Sequence, residues 1–178
     1  MMKFMMLTAM GALALALGGC AMNGASSGTA GEGAGATAQL ITANGQMVGT
    51  ATATQTTGGL ELTVNGKMMP PGPHGAHVHT IGRCDAPAFE TAGGHWNPTG
   101  KQHGMQNPAG PHVGDAPNLD VASDGSGKLT YILAGATMAG LLEGDGSSMM
   151  IHAGPDDMKT DPSGNSGGRI ACGVFRAE

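Results

Sequence analysis

The sequence contains few aromatic and few charged residues. Phe, Trp and Tyr make up 3% of the 178 residues, and Asp, Glu, Lys and Arg make up 12%. The eight lysines and arginines form no run or patch, and the net charge is −5 at pH 7. Nucleic acid is therefore not expected as a partner. Helical periodicity is also nearly absent after residue 19, which argues against a helical fold.

The longest apolar run lies at the N-terminus and is too short to span a membrane. It extends from Phe4 to Leu17, follows Lys3 and ends in small residues, whereas a membrane-spanning helix needs about 20 apolar residues. A basic start, a short apolar stretch and a small-residue end predict a secretory signal peptide over residues 1–19.

The end of this run, Leu17-Gly18-Gly19-Cys20, resembles a bacterial lipobox. The resemblance implies cleavage before Cys20, a lipid on its thiol and a membrane anchor on the periplasmic side of a cell envelope. Ala21, in place of Asp, favours the outer membrane. The alternative is an ordinary signal peptide with Cys20 left free. Residues 20–38 are mostly Gly, Ala, Ser, Thr and Asn and predict a flexible tether, which leaves residues 39–178 for the folded domain.

The sequence has three cysteines, an odd number for an exported chain. If Cys20 carries a lipid, Cys84 and Cys172 remain as a pair, and an oxidising envelope compartment permits a disulfide between them. Such a bond would close a long loop and would stabilise the fold by about 4 kcal/mol in chain-entropy terms.

Short strand patterns and Gly-rich turns run through the rest of the sequence. Apolar and polar residues alternate from Leu60 to Val64 and from Leu129 to Leu133, and Asn44-Gly45 is a hairpin turn signal. This pattern predicts an antiparallel all-β sandwich or barrel. Two long segments rich in Gly and Pro interrupt it, at residues 82–114 and 154–168. Loops of this length in a compact domain are usually functional or disordered.

Histidine is abundant for a sequence with so few aromatic residues, with seven in the chain. His77 and His79 lie two apart in a predicted strand, so both side chains point to one face and can reach one metal ion. His152 ends another predicted strand and could complete a copper site with them and one shared histidine. In the first long loop, three imidazoles and one carboxylate would close a tetrahedral zinc site: His95, His103, His112 and Asp115. The alternative is that this loop is a disordered polar segment.

Five segments, in order along the chain, resemble motifs of the copper/zinc superoxide dismutases. Gly75-Ala76-His77-Val78-His79 is similar to the copper motif of that family, and Gly94-His95-Trp96-Asn97-Pro98 is similar to its bridging-histidine motif. His112-Val113-Gly114-Asp115 resembles its zinc motif, Met150-Ile151-His152 its last copper ligand, and residues 168–174 its C-terminal signature. The resemblance covers Gln39 to the C-terminus. It implies an eight-stranded antiparallel Greek-key sandwich or barrel with two long functional loops.

The resemblance also implies a role for each residue of the site. One histidine would bridge the two metals, so copper would be bound by His77, His79, His95 and His152, and zinc by His95, His103, His112 and Asp115. Asp156 would bond to a ligand histidine of each metal and fix its orientation. Cys84 and Cys172 would form the intrachain disulfide, and Arg169 would lie beside the copper. His74 matches no ligand and is expected to be structural or at the surface.

The implied activity is disproportionation of superoxide to oxygen and hydrogen peroxide, with one copper and one zinc per subunit, in defence of the cell envelope. Arg169, which is always charged, would hold the anion, and His95 would supply a proton. Two alternatives are not enzymes: a copper- or zinc-handling envelope lipoprotein, and a structural or adhesive lipoprotein. The full ligand set together with Arg169 favours the enzyme.

The sequence departs from the family pattern at several points. Ala76 and Trp96 stand where a larger apolar residue and Phe are usual, and the segment between His152 and Arg169 is shorter than in the animal enzymes. The steering residues of those enzymes are therefore not carried over. A homodimer is considered as the assembly, without any assigned interface.

Overall fold

The protein is described by a computed structural model, which covers residue 31 and residues 33–178. In this part of the chain ten strands form one antiparallel sheet. They are β1 Gly35–Ile41, β2 Met47–Thr56, β3 Gly59–Gly66, β4 Gly72–His74, β5 Ala76–His79, β6 Leu119–Val121, β7 Gly127–Ala134, β8 Ser148–His152, β9 Arg169–Val174 and β10 Arg176–Ala177. The predicted all-β antiparallel architecture is confirmed. The count exceeds the expected eight, and three of the ten strands, β4, β6 and β10, have only two or three residues.

Within residues 33–178, helical structure is limited to a 3-10 turn, Glu90–Ala92, and the four-residue helix α1, Met138–Leu141. No helix among the described residues is long and apolar enough to cross a membrane. The predicted signal peptide and Cys20 lie outside the described residues, as does most of the predicted tether.

The sheet curls into a barrel that is nearly closed. Its strand order is β4-β6-β7-β3-β2-β1-β9-β8-β5, and β10 pairs with β1 beside this path. The two end strands, β4 and β5, are joined by the single residue Gly75. Gly75 donates a hydrogen bond to the carbonyl of Gly154 (2.8 Å) and accepts one from the amide of His152 (2.9 Å). These bonds fix both ends of the sheet to the end of β8.

The alternating residues predicted from the sequence line the core. Leu60, Leu62 and Val64 of β3 are fully buried, and Leu129 and Leu133 of β7 are buried opposite them. Replacing one of these leucines with alanine costs about 2–5 kcal/mol in a typical core. Ala76 and Trp96, the two departures from the family pattern, are also buried in this cluster.

The first strand corrects the expected domain boundary at Gln39. β1 begins at Gly35, and Ala36 and Ala38 are buried in the core and paired with Ala53 and Ala51 of β2. Small residues give a weak strand signal in the sequence, so this segment resembles a tether. In the fold it gains backbone hydrogen bonds from both β2 and β10, and its small side chains leave room for the core.

Two long connections between strands contain many of the polar residues of the candidate site: residues 80–118 after β5 and residues 153–168 after β8. The first connection runs back along the free edge of β5. Val78 accepts a hydrogen bond from the amide of Trp96 (2.8 Å) and donates one to the carbonyl of Gly114 (2.9 Å). A side chain at Gly114 would collide with the Val78 carbonyl, so the close approach requires glycine.

Candidate metal centre

Two strands and one loop bring four histidines together at the open edge of the barrel. His77 and His79 project from the same face of β5, and His152 ends the neighbouring strand β8. The loop segment bonded to β5 sets His95 opposite His79. One ring nitrogen from each of the four lies within 4.8 Å of the others, so the group could hold a metal ion.

Hydrogen bonds fix the orientation of three of these rings, so that the unprotonated nitrogen of each ring faces the centre of the group. His77 donates from Nε2 to Asp156 Oδ2 (2.7 Å), His79 from Nδ1 to the carbonyl of Gly93 (2.9 Å), and His152 from Nδ1 to the carbonyl of Gly167 (3.1 Å). A carbonyl or carboxylate oxygen only accepts, so each contact assigns the proton to that nitrogen. The opposite nitrogens are buried and, within the described structure, without a hydrogen-bond partner: His77 Nδ1, His79 Nε2 and His152 Nε2, together with His95 Nε2. Four such nitrogens around one point are suited to a copper ion.

A second group is built around the carboxylate of Asp115. Its Oδ1 lies 2.8 Å from His95 Nδ1, 3.1 Å from His103 Nδ1 and 3.2 Å from His112 Nδ1. Its Oδ2 accepts hydrogen bonds from the amides of Gly104 (2.9 Å) and His112 (3.0 Å), which direct Oδ1 toward the three rings. Three imidazoles and one carboxylate are a common zinc ligand set.

His95 belongs to both groups, because its Nδ1 faces Asp115 and its Nε2 faces the first group. Asp156 links the groups a second time. Its Oδ2 accepts from His77 of the first group, and its Oδ1 accepts from His103 Nε2 of the second group at 3.0 Å. Asn118 holds Asp156 in place by accepting from its amide and donating to its carbonyl.

Burial keeps the rings of the first group neutral. It lowers the pKa of His77 to about 3, against the hydrogen bond to Asp156, and lowers the pKa of His152 to about 4, against the bond to Gly167. His103 differs: burial acts to lower its pKa, but Asp115 and Asp156 raise it to about 9. Neutral imidazoles are the form that binds a metal ion.

Comparison with known proteins agrees with this geometry, which is suited to one copper and one zinc ion. The family model for copper/zinc superoxide dismutase (SODC) matches residues 47–175. The chain belongs to the copper/zinc superoxide dismutase family. It is 41% identical over 145 residues to superoxide dismutase [Cu-Zn] 2 of Aquifex aeolicus, a match that covers 78% of this chain and 85% of the relative. It is 40% identical over 150 residues to superoxide dismutase [Cu-Zn] of Escherichia coli K12, covering 77% and 84%.

Solved structures of the family have the same fold. A superoxide dismutase-like protein from Bacillus subtilis superposes with a TM-score of 0.74 at 37% identity, covering 78% of this chain and 96% of the other. Cu/Zn superoxide dismutase from Brucella abortus gives a TM-score of 0.67 at 31% identity, covering 80% and 99%.

In this member of the family a cleft of about 410 Å³ opens onto the first group. His79, His95 and His152 lie in its wall, and Arg169 is the only lysine or arginine among its lining residues in the described chain. Arg169 donates to the carbonyls of Phe89 and Gly93, both at 2.6 Å. The guanidinium is therefore held in a fixed orientation beside the four histidine nitrogens.

The predicted disulfide is present between Cys84 and Cys172. Cys172 is fully buried in β9 and packs in a small cluster with Phe89, Ala92 and Met150. The bond attaches the start of the first long loop to β9, the strand that begins with Arg169. It thereby supports the segment whose carbonyls hold the guanidinium.

Several residues that support the site were not assigned to it from the sequence. His74 is buried, and its ring lies 2.7 Å from the carbonyl of His152 and 2.8 Å from that of Pro70, which makes it structural rather than a surface residue. Asp161 accepts from the amide of His103 at 2.6 Å. Gly93 and Gly167 act only through backbone carbonyls, which every residue possesses.

Proposed function

We propose that this protein disproportionates superoxide to oxygen and hydrogen peroxide. Copper is bound by the first histidine group and zinc by the second, with His95 shared. The ligands are His77, His79, His95 and His152 for copper, and His95, His103, His112 and Asp115 for zinc. The observation that carries the proposal is a set of four buried nitrogens that face one point beside Arg169 and have no hydrogen-bond partner in the described part of the chain.

The cleft favours an enzyme over a protein that only stores metal. A storage site needs a closed ligand shell, whereas catalysis needs an open position at the metal. Three copper ligands line a cleft that also contains a fixed cation. This arrangement gives a small anion both access to the centre and a reason to stay there.

The reaction takes two superoxide anions and two protons and yields one oxygen and one hydrogen peroxide. Copper, when bound, supplies the exchange of electrons with superoxide. Arg169 attracts and orients the anion: a guanidinium has five N–H donors, and the contacts to Phe89 and Gly93 use one on each of two nitrogens. His95 can hold and release a proton at Nε2, which faces the first group and has no hydrogen-bond partner among the described residues. Asp156 fixes the rings of His77 and His103 in both groups.

The location is also proposed. Leu17-Gly18-Gly19-Cys20 supports lipid attachment at Cys20 and an envelope position on the periplasmic side, in the outer membrane because Ala21 follows the cysteine. The disulfide of Cys84 and Cys172 is consistent with an oxidising compartment. Incorporation of a labelled fatty acid into the wild-type chain, and its loss in Cys20→Ser, tests the anchor. A homodimer is a further prediction, tested by light scattering of the purified chain.

The activity is tested on the purified chain without residues 1–19, after loading with copper and zinc. We expect one copper and one zinc per chain and rapid, cyanide-sensitive disproportionation. His79→Ala should lose copper preferentially, and His112→Ala should lose zinc preferentially, so each variant is the control for the other. Both metals bound without activity would support a metal-handling protein, and a folded chain without stoichiometric metal would exclude both functions.

A further inference from the structure

A second cleft, separate from the one beside Arg169, reaches the zinc-type group. We call it the β7 cleft. It has a volume of about 180 Å³. Strand β7 forms one wall with Tyr131, Leu133 and Ala134, and the first long loop forms the other wall with Thr99 and Lys101. Two of the proposed zinc ligands, His112 and Asp115, lie among the residues that line it.

The two clefts are lined by different sets of residues. Among the described residues that line them, they share only His112. The cleft beside Arg169 contains His79 and His152, which are proposed to hold copper. The β7 cleft contains Asp115, whose Oδ1 contacts the three zinc-type imidazoles, and none of the residues proposed to bind copper alone.

The two clefts differ in the charged groups that an entering zinc ion would meet. In the first cleft, a divalent cation would pass Arg169 and, in the copper-loaded protein, a bound copper ion. Both repel it at short range. In the β7 cleft it meets a proposed ligand carboxylate, and among the described residues that line this cleft the only lysine or arginine is Lys101, an exposed side chain.

We infer that Zn²⁺ enters and leaves its site through the β7 cleft, independently of the cleft used by copper and superoxide. The inference rests on the proposed zinc site. It has a kinetic consequence: zinc exchange does not require removal of copper. His112, which is 8% exposed and lines both clefts, is the ligand that an incoming zinc ion contacts first.

The first test narrows the β7 cleft without changing a ligand. Ala134→Trp places a large ring at its exposed rim. We expect it to slow zinc uptake by the copper-loaded, zinc-free chain, and zinc release from the copper- and zinc-loaded chain, by the same factor of about ten. The dissociation constant for zinc is then unchanged. Zinc is followed with a chromogenic chelator, so the readout is independent of activity. Ile132→Trp is the matched control, because Ile132 is exposed on the same face of β7 and is not a lining residue.

The second test changes the charge at the mouth. Lys101→Glu should accelerate zinc uptake about tenfold at low ionic strength, with the effect lost in high salt. Lys159→Glu makes the same change in net charge at an exposed lysine of the second long loop, outside both clefts. Its uptake rate should stay close to that of the wild type.

The outcomes separate this inference from the proposed function. If zinc binds but Ala134→Trp exchanges it as fast as Ile132→Trp, the β7 cleft is not the route. Zinc release that requires prior removal of copper would likewise assign the route to the first cleft. A chain that binds no zinc in either variant or wild type would instead overturn the zinc site, and the inference with it.

Discussion

Arg169 and His79 donate hydrogen bonds to the same atom, the carbonyl oxygen of Gly93. The distances are 2.6 Å from Arg169 Nη2 and 2.9 Å from His79 Nδ1. The shared acceptor fixes the guanidinium relative to the imidazole. It also assigns the proton of His79 to Nδ1, so that Nε2 faces the first histidine group. One backbone atom therefore positions both the proposed anion-binding residue, Arg169, and a proposed copper ligand, His79.

Arg169→Ala should reduce kcat/KM for superoxide by about 10- to 100-fold, because it removes the cation that lines the cleft. The copper content should change little, since the four proposed ligands remain. Activity measured as a function of ionic strength gives the check: the wild type should slow with added salt, and the variant should be much less sensitive.

Arg169→Lys provides the control for this prediction. It keeps the positive charge but cannot donate from two nitrogens to the carbonyls of Phe89 and Gly93 as the guanidinium does. We expect partial recovery of the rate and of the salt dependence. An Arg169→Ala variant with wild-type kcat/KM would show that Arg169 has no part in capturing the anion.

Gly164 is predicted to be essential for the link between the two histidine groups. Its φ is 62°, and an added Cβ would overlap Asp156 Oδ1 and lie 2.8 Å from His103 Nε2. Gly164→Ala must therefore displace the carboxylate that bonds to both His77 and His103. We expect zinc affinity to fall about 10- to 100-fold, as is typical when a partner of a ligand histidine is lost. Competition with a chelator measures this affinity.

Gly167→Ala is the matched control. Gly167 lies in the same loop with φ of 77°, but its Cβ would meet nothing closer than 3.9 Å. Both variants carry the same kind of left-handed backbone strain, about 1–2 kcal/mol, so this strain cancels in the comparison. Equal zinc affinities in the two variants would contradict the role assigned to Gly164.

The parts of the site that lie on strands could be predicted from the residues alone. His77 and His79 share a face because side chains alternate along a strand, and the burial of Leu60, Leu62 and Val64 follows the same rule. The hydrophobic pattern could not predict the start of β1, because Ala36 and Ala38 are too small to produce one. Their burial depends on partners in β2 that are distant in sequence.

The loop part of the site is different, because no periodicity governs it. The positions of His95 and Asp115 depend on backbone hydrogen bonds between their loop and Val78 on β5. Only the resemblance to a family predicted from the sequence that these residues belong to the site. The carbonyls of Gly93 and Gly167 have no sequence signal at all. Such contacts become visible only when the fold brings the backbone and the imidazoles together.

The metal-free protein should lose stability on acidification. Burial lowers the pKa of His77 to about 3 and of His152 to about 4, from 6.5. In the pH range between 6.5 and these lowered pKa values, the unfolded chain binds protons that the folded chain does not. The free energy of unfolding therefore falls as the pH falls. His103, whose pKa Asp115 and Asp156 raise to about 9 against the effect of burial, acts in the opposite sense. Its contribution is complete below pH 6.5 and is lost as the pH rises through 9.

We therefore expect the metal-free chain to have its highest Tm near neutral pH and lower values at both pH 4.5 and pH 9.5, conditions chosen to lie about two pH units or more from the ordinary histidine pKa. Thermal unfolding followed by circular dichroism measures the Tm at each pH. His103→Gln should reduce the loss of Tm between pH 7 and pH 9.5 without changing the loss between pH 7 and pH 4.5. A Tm that is the same at pH 7 and pH 4.5 would contradict the assignment of neutral, buried histidines.

His74 should position His152, a proposed copper ligand, through the backbone carbonyl of that residue. Its ring lies 2.7 Å from the carbonyl of His152 and 2.8 Å from the carbonyl of Pro70. His74→Leu leaves both oxygens without this partner, and a buried unpaired polar group costs about 1–3 kcal/mol. We expect lower stability of the metal-free chain, weaker copper binding and an altered copper absorption band. His74→Gln, which keeps an N–H donor group, should recover part of each.

A general loss of stability could weaken copper binding without any positioning role, and Leu119→Ala separates the two effects. Leu119 pairs with His74 across β4 and β6 and is fully buried, so its truncation should cost about 2–5 kcal/mol while the bond from His74 to His152 remains. If His74 positions His152, only the His74 variant changes the copper absorption band. If both variants shift the band and the copper affinity equally, His74 contributes to stability alone. The core truncation in Leu119→Ala would then have the same effect on copper as the loss of the hydrogen bond in His74→Leu.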